Sequence, residues 1–357
     1  MKSRIINLVK PEVRALSAYT LKPYAYRHKM NQNENPLGYP DDLKAKVLQR
    51  VAEADWARYP DFDLVELTAK LADHVSVTPD MVLVGNGSNE LIYVTLAAML
   101  TRGDHVVAPV PTFSLYKIIS RVVAESGALV LIDEAYREFS TQDFRPLLDE
   151  FDNVVLFRTF SKAMATGGLR VGYALTNPAL AREIHKAKLP YALNLFSEMA
   201  AIVAIEHYDC FVEAIETLKQ ERTRVYAALQ TLGLSSLRIE TIPSLYVYPS
   251  AANFFLVRFN RPARSVFNFL LNEYGILIRD ISQYPGLAGH LRVSLGTPEE
   301  NNLFIKAISR LCFQEDYCSV KFVLTVYKCF RRMQNRFLNP DCYLQPGVKR
   351  RITPEVE

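Results

Sequence analysis

A chain of 357 residues, 49% hydrophobic and 11% aromatic, holds enough apolar mass for one large and one small core. Its formal charge of +4, from 42 basic and 38 acidic residues, is small, and no basic stripe with interleaved aromatics argues for a nucleic-acid partner. The first ten residues carry no apolar run of signal-peptide type, nothing reaches membrane-spanning length, and the five cysteines build no disulfide framework, so a cytoplasmic location is the expectation.

In chain order, Val82 to Ile92 reads as a strand, a glycine turn and a helix that begins near Ser88, leaving free N–H groups aimed at whatever precedes it. Val106-Val107-Ala108 is strand-like and runs on to Pro111-Thr112-Phe113. Ala128 to Asp133 has the pattern of a buried strand and ends in Asp133-Glu134-Ala135-Tyr136; Val154 to Phe157 is a second apolar run, followed by Thr159-Phe160-Ser161-Lys162 and by Leu169-Arg170. Strands alternating with helical patterns between residues 64 and 190 indicate an α/β sheet with parallel strands. One helix is expected from Glu198 through Leu218. After it, Asn253 to Val257, a helix over 264–273, strands at Arg279 and Arg292 and a last helix over 298–311 describe a smaller α+β domain.

The segment around Lys162 puts a lysine, a hydroxyl and an arginine about one turn, which is equipment for an aldehyde cofactor carrying a phosphate. A lysine amine can condense with the aldehyde and later move the substrate's α-proton, and Lys162 is the candidate for both roles. An acid beneath the ring keeps the pyridine nitrogen protonated, a need that Asp133 meets. A phenol at Tyr136 can hydrogen-bond the ring oxygen. Ser161 and Arg170 supply donors and positive charge for the phosphate. Each of these residues alone has an ordinary reading as cap, turn or surface residue; their order and spacing point to pyridoxal 5'-phosphate.

Over about residues 5 to 311 the chain resembles the fold-type-I, class I/II aminotransferases, most closely the histidinol-phosphate aminotransferases. Asn33-Glu34-Asn35-Pro36-Leu37-Gly38, Arg58-Tyr59-Pro60, Pro111-Thr112-Phe113 with Tyr116, and His290 to Thr297 carry the resemblance together with the segments above. It implies a large, doubly wound, mostly parallel sheet domain over 33–208 and a small domain from 1–32 with 209–311. It also implies that the amides at Ser88 and Asn89 hold the phosphate and that Phe113 stacks on the cofactor ring. Tyr59 would reach the phosphate of a partner subunit, making a homodimer. Arg292 would clamp the amino donor's carboxylate, Arg279 and Tyr19 the substrate's distal anion, and Asn35 would contact substrate. The implied reaction is histidinol phosphate with 2-oxoglutarate, in histidine biosynthesis, using small-molecule partners and no metal. Two departures stand against this pattern. The chain passes from Val123 directly to Ala124, where family members carry several dozen residues that include an N-P-x-N-P-T-G motif. The tail from Cys312 to Glu357 holds eight basic and five acidic residues, and its four cysteines lack the paired spacing of a zinc site. An aromatic or broad-specificity aminotransferase, a phosphothreonine-type decarboxylase and an inactive remnant stay open as alternatives, and at most residual transaminase activity is expected.

Overall fold

The computed structural model describes residues 6–9, 11–15, 22–101, 104, 105, 107, 128–235 and 245–312. The expectations for Tyr19, Phe113, the Val123-Ala124 join and the tail beyond Cys312 lie outside the described residues, and of the Val106 to Ala108 strand only Val107 is described. The chain divides into one compact unit of residues 1–305 and a second of 306–357. All the described site residues belong to the first.

Two four-stranded sheets organise that unit. The first orders β2 (Val82–Gly85), β5 (Gly172–Thr176), β4 (Val154–Thr159) and β3 (Val130–Asp133). Every residue of β2, β4 and β5 is buried, the pattern of strands covered on both faces. β3 pairs parallel with β4, whereas β5 runs antiparallel to both β4 and β2. Three of the four strands therefore share one direction, and the expectation of parallel strands is corrected only at β5. The helices Asp41–Glu53 (α1), Val65–Val75 (α2), Ser88–Met99 (α3) and Pro178–Ala187 (α4) lie around this sheet with Leu195–Glu206 (α5). Leu83, Val155, Phe157 and Ala174 on the strands meet Leu91 and Val94 of α3 and Ala181 and Ile184 of α4 in one apolar core.

The helix expected from Glu198 through Leu218 is two helices. α5 ends at Glu206, and Asp209–Ser235 (α6) starts three residues later. His207 leaves helical geometry at φ −122°, ψ 36°, and Tyr208 turns its ring edge-on against His74, with centroids 4.5 Å apart. The second sheet orders β6 (Leu245–Val247), β7 (Phe254–Phe259), β10 (His290–Ser294) and β9 (Arg279–Asp280), antiparallel throughout. Helix α7 (Ala263–Tyr274) packs on it, and β1 (His28–Lys29) pairs parallel with β8 (Ile276–Leu277). Among the described residues no helix is long and apolar enough to cross a membrane.

Glu198 sits buried in the first turn of α5, where burial, then the charges of Asp61 and Glu66, push its carboxyl up to about 7. A carboxyl raised in the folded state costs nothing below its unfolded value and destabilises progressively as pH rises from there through about 7. Glu198→Gln is therefore expected to gain about 1–3 kcal/mol at pH 8 and almost nothing near pH 4.5. Urea midpoints at the two pH values check this, and an equal gain at both contradicts it.

Candidate active site

Register brings the site residues to one edge of the first sheet. Gly85 pairs with Gly172, Gly172 with Thr159, and Asp133 with Phe157 two residues earlier on β4. The carboxyl ends of β2, β3 and β4 thus open on a common crevice, the place where open α/β sheets bind ligands.

Three groups converge at the β2 end of the crevice. Gly87 holds φ +80° as the residue before α3, and no side chain caps the helix, so its first amides face outward. A Cβ on Gly87 would lie 2.6 Å from Nη2 of Arg170, so the guanidinium rests against the helix start, and the φ of +80° there favours glycine. A Cβ on Gly172 would collide with the Ser88 nitrogen, which fixes how closely β5 approaches the same turn. Arg170 Nη1 donates to Ser161 Oγ at 3.3 Å, and Ser161 Oγ accepts from Thr159 Oγ1 at 3.0 Å. Guanidinium, hydroxyl and helix amides form one anion cradle. Ser88 is buried within it, and Asn89 follows in the same helical turn, exposed.

Lys162 projects from the turn after β4, a loop that contains two non-glycine residues in left-handed conformation, Ala165 at φ +53° and Arg170 at φ +59°. Such residues cost about 1–3 kcal/mol each and persist where the surroundings over-determine them. Here the Leu169 carbonyl accepts from Ser197 Oγ at 2.6 Å, and Phe160 N–H donates to the Val171 carbonyl at 3.1 Å. Lys162 Nζ donates to the Gln32 carbonyl at 3.0 Å. Burial, then the charges of Arg292 and Arg170, hold the amine below its ordinary range, against the pull of Glu34 and Asp133. Asp133 closes β3 and meets solvent through the crevice while protein atoms surround it. Burial lifts its carboxyl, opposed by the Ala135 N–H at 3.0 Å and by the Lys162 charge.

Tyr136, three residues on, packs edge-on against Phe254 of β7 at 5.3 Å, and its hydroxyl accepts from Asn33 Nδ2 at 2.9 Å. Burial raises the phenol, while Asn33 and Arg292 pull it down. Arg292 reaches in from β10, donating to the Asn31 carbonyl at 2.8 Å and lying 5.6 Å from the centre of the Phe254 ring. Arg279 is its direct cross-strand partner on β9. Direct partners on antiparallel strands present their side chains on the same face of the sheet.

Two further expected residues stand apart from this cluster. Asn35 directs its amide to the backbone, donating to the Ala163 carbonyl at 2.9 Å and accepting from Leu37 N–H at 3.0 Å, so it braces the Lys162 loop. Tyr59 is 80% exposed and stacks on Tyr191 at 4.6 Å, outside the cluster just described. Sequence reasoning missed Asn33 and Ser294, which hold Tyr136. Both lie inside quoted motifs, but nothing in their spacing says that they meet.

The sequence profile of class I and II aminotransferases matches residues 28–122 and 115–308. The histidinol-phosphate aminotransferase of Prosthecochloris aestuarii is 31% identical over 361 positions, covering 85% of this chain and 98% of that one. That of Chlorobaculum tepidum is 32% identical, covering 79% and 94%. A histidinol-phosphate aminotransferase structure from Sinorhizobium meliloti, in complex with pyridoxal 5'-phosphate, superposes with TM-score 0.69 at 21% identity, over 86% of this chain and 98% of that one. A Clostridium acetobutylicum histidinol-phosphate aminotransferase superposes with TM-score 0.68 at 21% identity, covering 81% and 100%. The residues in hand fit the cofactor these enzymes share. An anion cradle, an amine of lowered basicity and a carboxylate lie along a single crevice, and a Cβ at Gly87 would fill the cradle. The chain belongs to the class I and II aminotransferases, pyridoxal-phosphate-dependent transferases of fold type I.

Proposed function

We propose that the protein moves the amino group of histidinol phosphate to 2-oxoglutarate, with Lys162, Asp133 and Tyr136 as catalytic residues. The observation that carries this reading is the cross-strand pairing of Arg279 with Arg292 beside the Tyr136 pocket, two cations on one face that suit the two carboxylates of 2-oxoglutarate and the single phosphate of histidinol phosphate. Pyridoxal phosphate, when bound, supplies the electron sink for the α-carbanion. Lys162 carries the α-proton, and burial lowers the basicity of its amine in the direction that task needs. Asp133 holds negative charge at the ring-nitrogen end, and Tyr136 donates its hydroxyl proton toward the ring oxygen. Ser161, Arg170, Ser88 and Asn89 retain the cofactor phosphate. Arg292 takes the α-carboxylate of 2-oxoglutarate and of the glutamate formed from it, and Arg279 takes the distal anion, the phosphate of histidinol phosphate or the side-chain carboxylate of the oxo acid.

Arg279→Ala is expected to lower kcat/KM for histidinol phosphate about ten- to a hundredfold, the worth of one charge-assisted contact, and to spare a neutral aromatic amine. Equal losses on both substrates favour the broad-specificity aminotransferase. The decarboxylase alternative has a fold neighbour, a threonine-phosphate decarboxylase from Porphyromonas gingivalis with TM-score 0.66 at 21% identity. Carbon dioxide release from phosphothreonine tests it.

We further infer that an internal segment is missing. The profile matches in two stretches that meet at 115–122, and the 361 aligned positions of the Prosthecochloris enzyme span only 85% of this chain, so about 58 of them face no residue here. Turnover is accordingly expected to be residual, below the ordinary range of about 1 to 1000 per second. The homodimer reading gains support from the exposed aromatic cluster of Trp56, Tyr59, Phe62 and Tyr191, which suits a partner subunit. A cytoplasmic location stays with this reading.

A further inference from the structure

Asn33 is 1% exposed and sits at φ +55°, a left-handed conformation that asparagine tolerates better than most side chains. Four hydrogen bonds hold it there. Its N–H donates to Ser294 Oγ at 2.8 Å, and Ser294 Oγ donates to Asn33 Oδ1 at 2.8 Å. Asn253 Nδ2 donates to its carbonyl at 3.1 Å, and its own Nδ2 donates to the Tyr136 hydroxyl at 2.9 Å. The serine fixes which way the amide faces. A backbone N–H can only donate, so the serine accepts that bond and spends its single proton on the amide oxygen. Nδ2 is left pointing at the phenol. A phenol oxygen that accepts from an amide must send its own proton elsewhere, and its ring is wedged edge-on against Phe254.

We propose that Asn33, clamped by Ser294, is a positioning residue for Tyr136: it makes the phenol oxygen an acceptor on one side and so turns the O–H into the crevice beside Asp133 and Lys162. The inference rests on the placement of Tyr136 in the reaction pocket given above. The other charged groups acting on the phenol are Arg292 from β10, which favours its ionised form, and Asp133 from β3, which opposes it. The Asn33 amide works with Arg292. Left-handed backbone at a buried non-glycine position is costly and clusters at functional sites, which is consistent with a residue kept for its amide rather than for packing.

The test is a pH titration of tyrosine labelled at Cζ with carbon-13, in the full-length protein, with the Tyr136 resonance assigned by its loss in Tyr136→Phe. Asn33→Gly is the cleanest variant, because glycine accepts φ +55° without strain while removing the amide. The Tyr136 resonance is expected to titrate at higher pH in Asn33→Gly than in the unmodified protein. Ser294→Ala should move it in the same direction by less, and Asn33→Asp further, since a carboxylate then faces the phenolate. In the cofactor-loaded protein kcat should fall about tenfold with KM within about twofold, a loss that belongs to the chemical step rather than to binding. A Tyr136 titration unchanged in all three variants, with far-ultraviolet dichroism intact, overturns the proposal. Borohydride labelling of the unmodified protein separates the two levels. Labelling absent from Lys162 removes the functional reading, whereas labelling at Lys162 with an unmoved phenol titration removes only the role of Asn33.

Discussion

Lys162→Ala is expected to lower transamination by about 10²–10⁴-fold, the contribution of a positioned acid–base group, and to leave the fold unchanged. The argument is geometric first. Lys162 follows β4 in a loop that is tied by Ser197 Oγ to the Leu169 carbonyl and by Phe160 N–H to the Val171 carbonyl, and its Nζ lies 3.0 Å from the Gln32 carbonyl. The amine stands where the charges of both Asp133 and Arg292 act on it. Its lowered basicity follows from burial and from the two arginines, the direction that suits a group moving a proton. Removal leaves the anion cradle of Ser161, Arg170 and the α3 amides intact, and Lys162→Ala should still bind the cofactor noncovalently. Stopped-flow half-reactions with histidinol phosphate check the rate, and equilibrium dialysis checks the retained binding. A variant within threefold of the unmodified rate contradicts the assignment.

Glu134→Ala should cost about 3–5 kcal/mol, close to the whole stability of many domains. Glu134 lies beside Asp133 yet faces the interior, where its Oε2 accepts from Arg158 Nε at 2.7 Å and its Oε1 accepts from Phe144 N–H at 3.2 Å. Their side chains are 3% and 1% exposed. Burial opposes the charge on Arg158, but Tyr173 and Glu134 together hold it firmly ionised. Deleting the acid leaves a buried guanidinium with the half-exposed Asp143 at 3.3 Å as its remaining carboxylate, beside the Tyr173 hydroxyl. It also frees the turn that follows β3 and carries Asp133 and Tyr136. Urea unfolding measures the cost. The double change Glu134→Gln with Arg158→Met, which removes both charges, should recover more than half of it; a loss below about 1 kcal/mol for Glu134→Ala shows that the pair contributes nothing.

Most of this site is written locally. The apolar runs of β2, β3 and β4 end at Gly85, Asp133 and Thr159, so the strand ends and the residues just past them could be read without coordinates. The glycine turn before Ser88 announced an open helix start. What could not be read is pairing over long separations. Ser294 and Asn33 stand 261 residues apart, and their meeting decides how Tyr136 is held. The register that sets Arg279 opposite Arg292 is likewise invisible in a spacing of thirteen residues, because it depends on where the connection between β9 and β10 returns. Glu134 and Asp133 look alike in sequence. Alternation of side chains along the strand turns one into the core and the other toward the crevice, and the Arg158 that meets Glu134 lies on the neighbouring strand. The motif around Asn35 likewise says nothing of the bonds by which its amide braces the Lys162 loop, donating to the Ala163 carbonyl and accepting from Leu37 N–H. The break between α5 and α6 escaped because residues 198–218 keep a helical pattern throughout, and the turn is set by Tyr208 packing on His74.

The central claim is that Lys162 is the lysine to which the cofactor attaches. Borohydride reduction of the purified protein with pyridoxal 5'-phosphate, followed by peptide mapping, tests it without requiring turnover. The account predicts one pyridoxyl group per chain, on the peptide that contains Lys162, and none in Lys162→Ala. Lys188 is the instructive competitor: its amine is also held low by burial, but it donates to the Val84 carbonyl behind the cradle. A pyridoxyl group on Lys188 or on any other lysine, or none on a folded protein, would contradict the account.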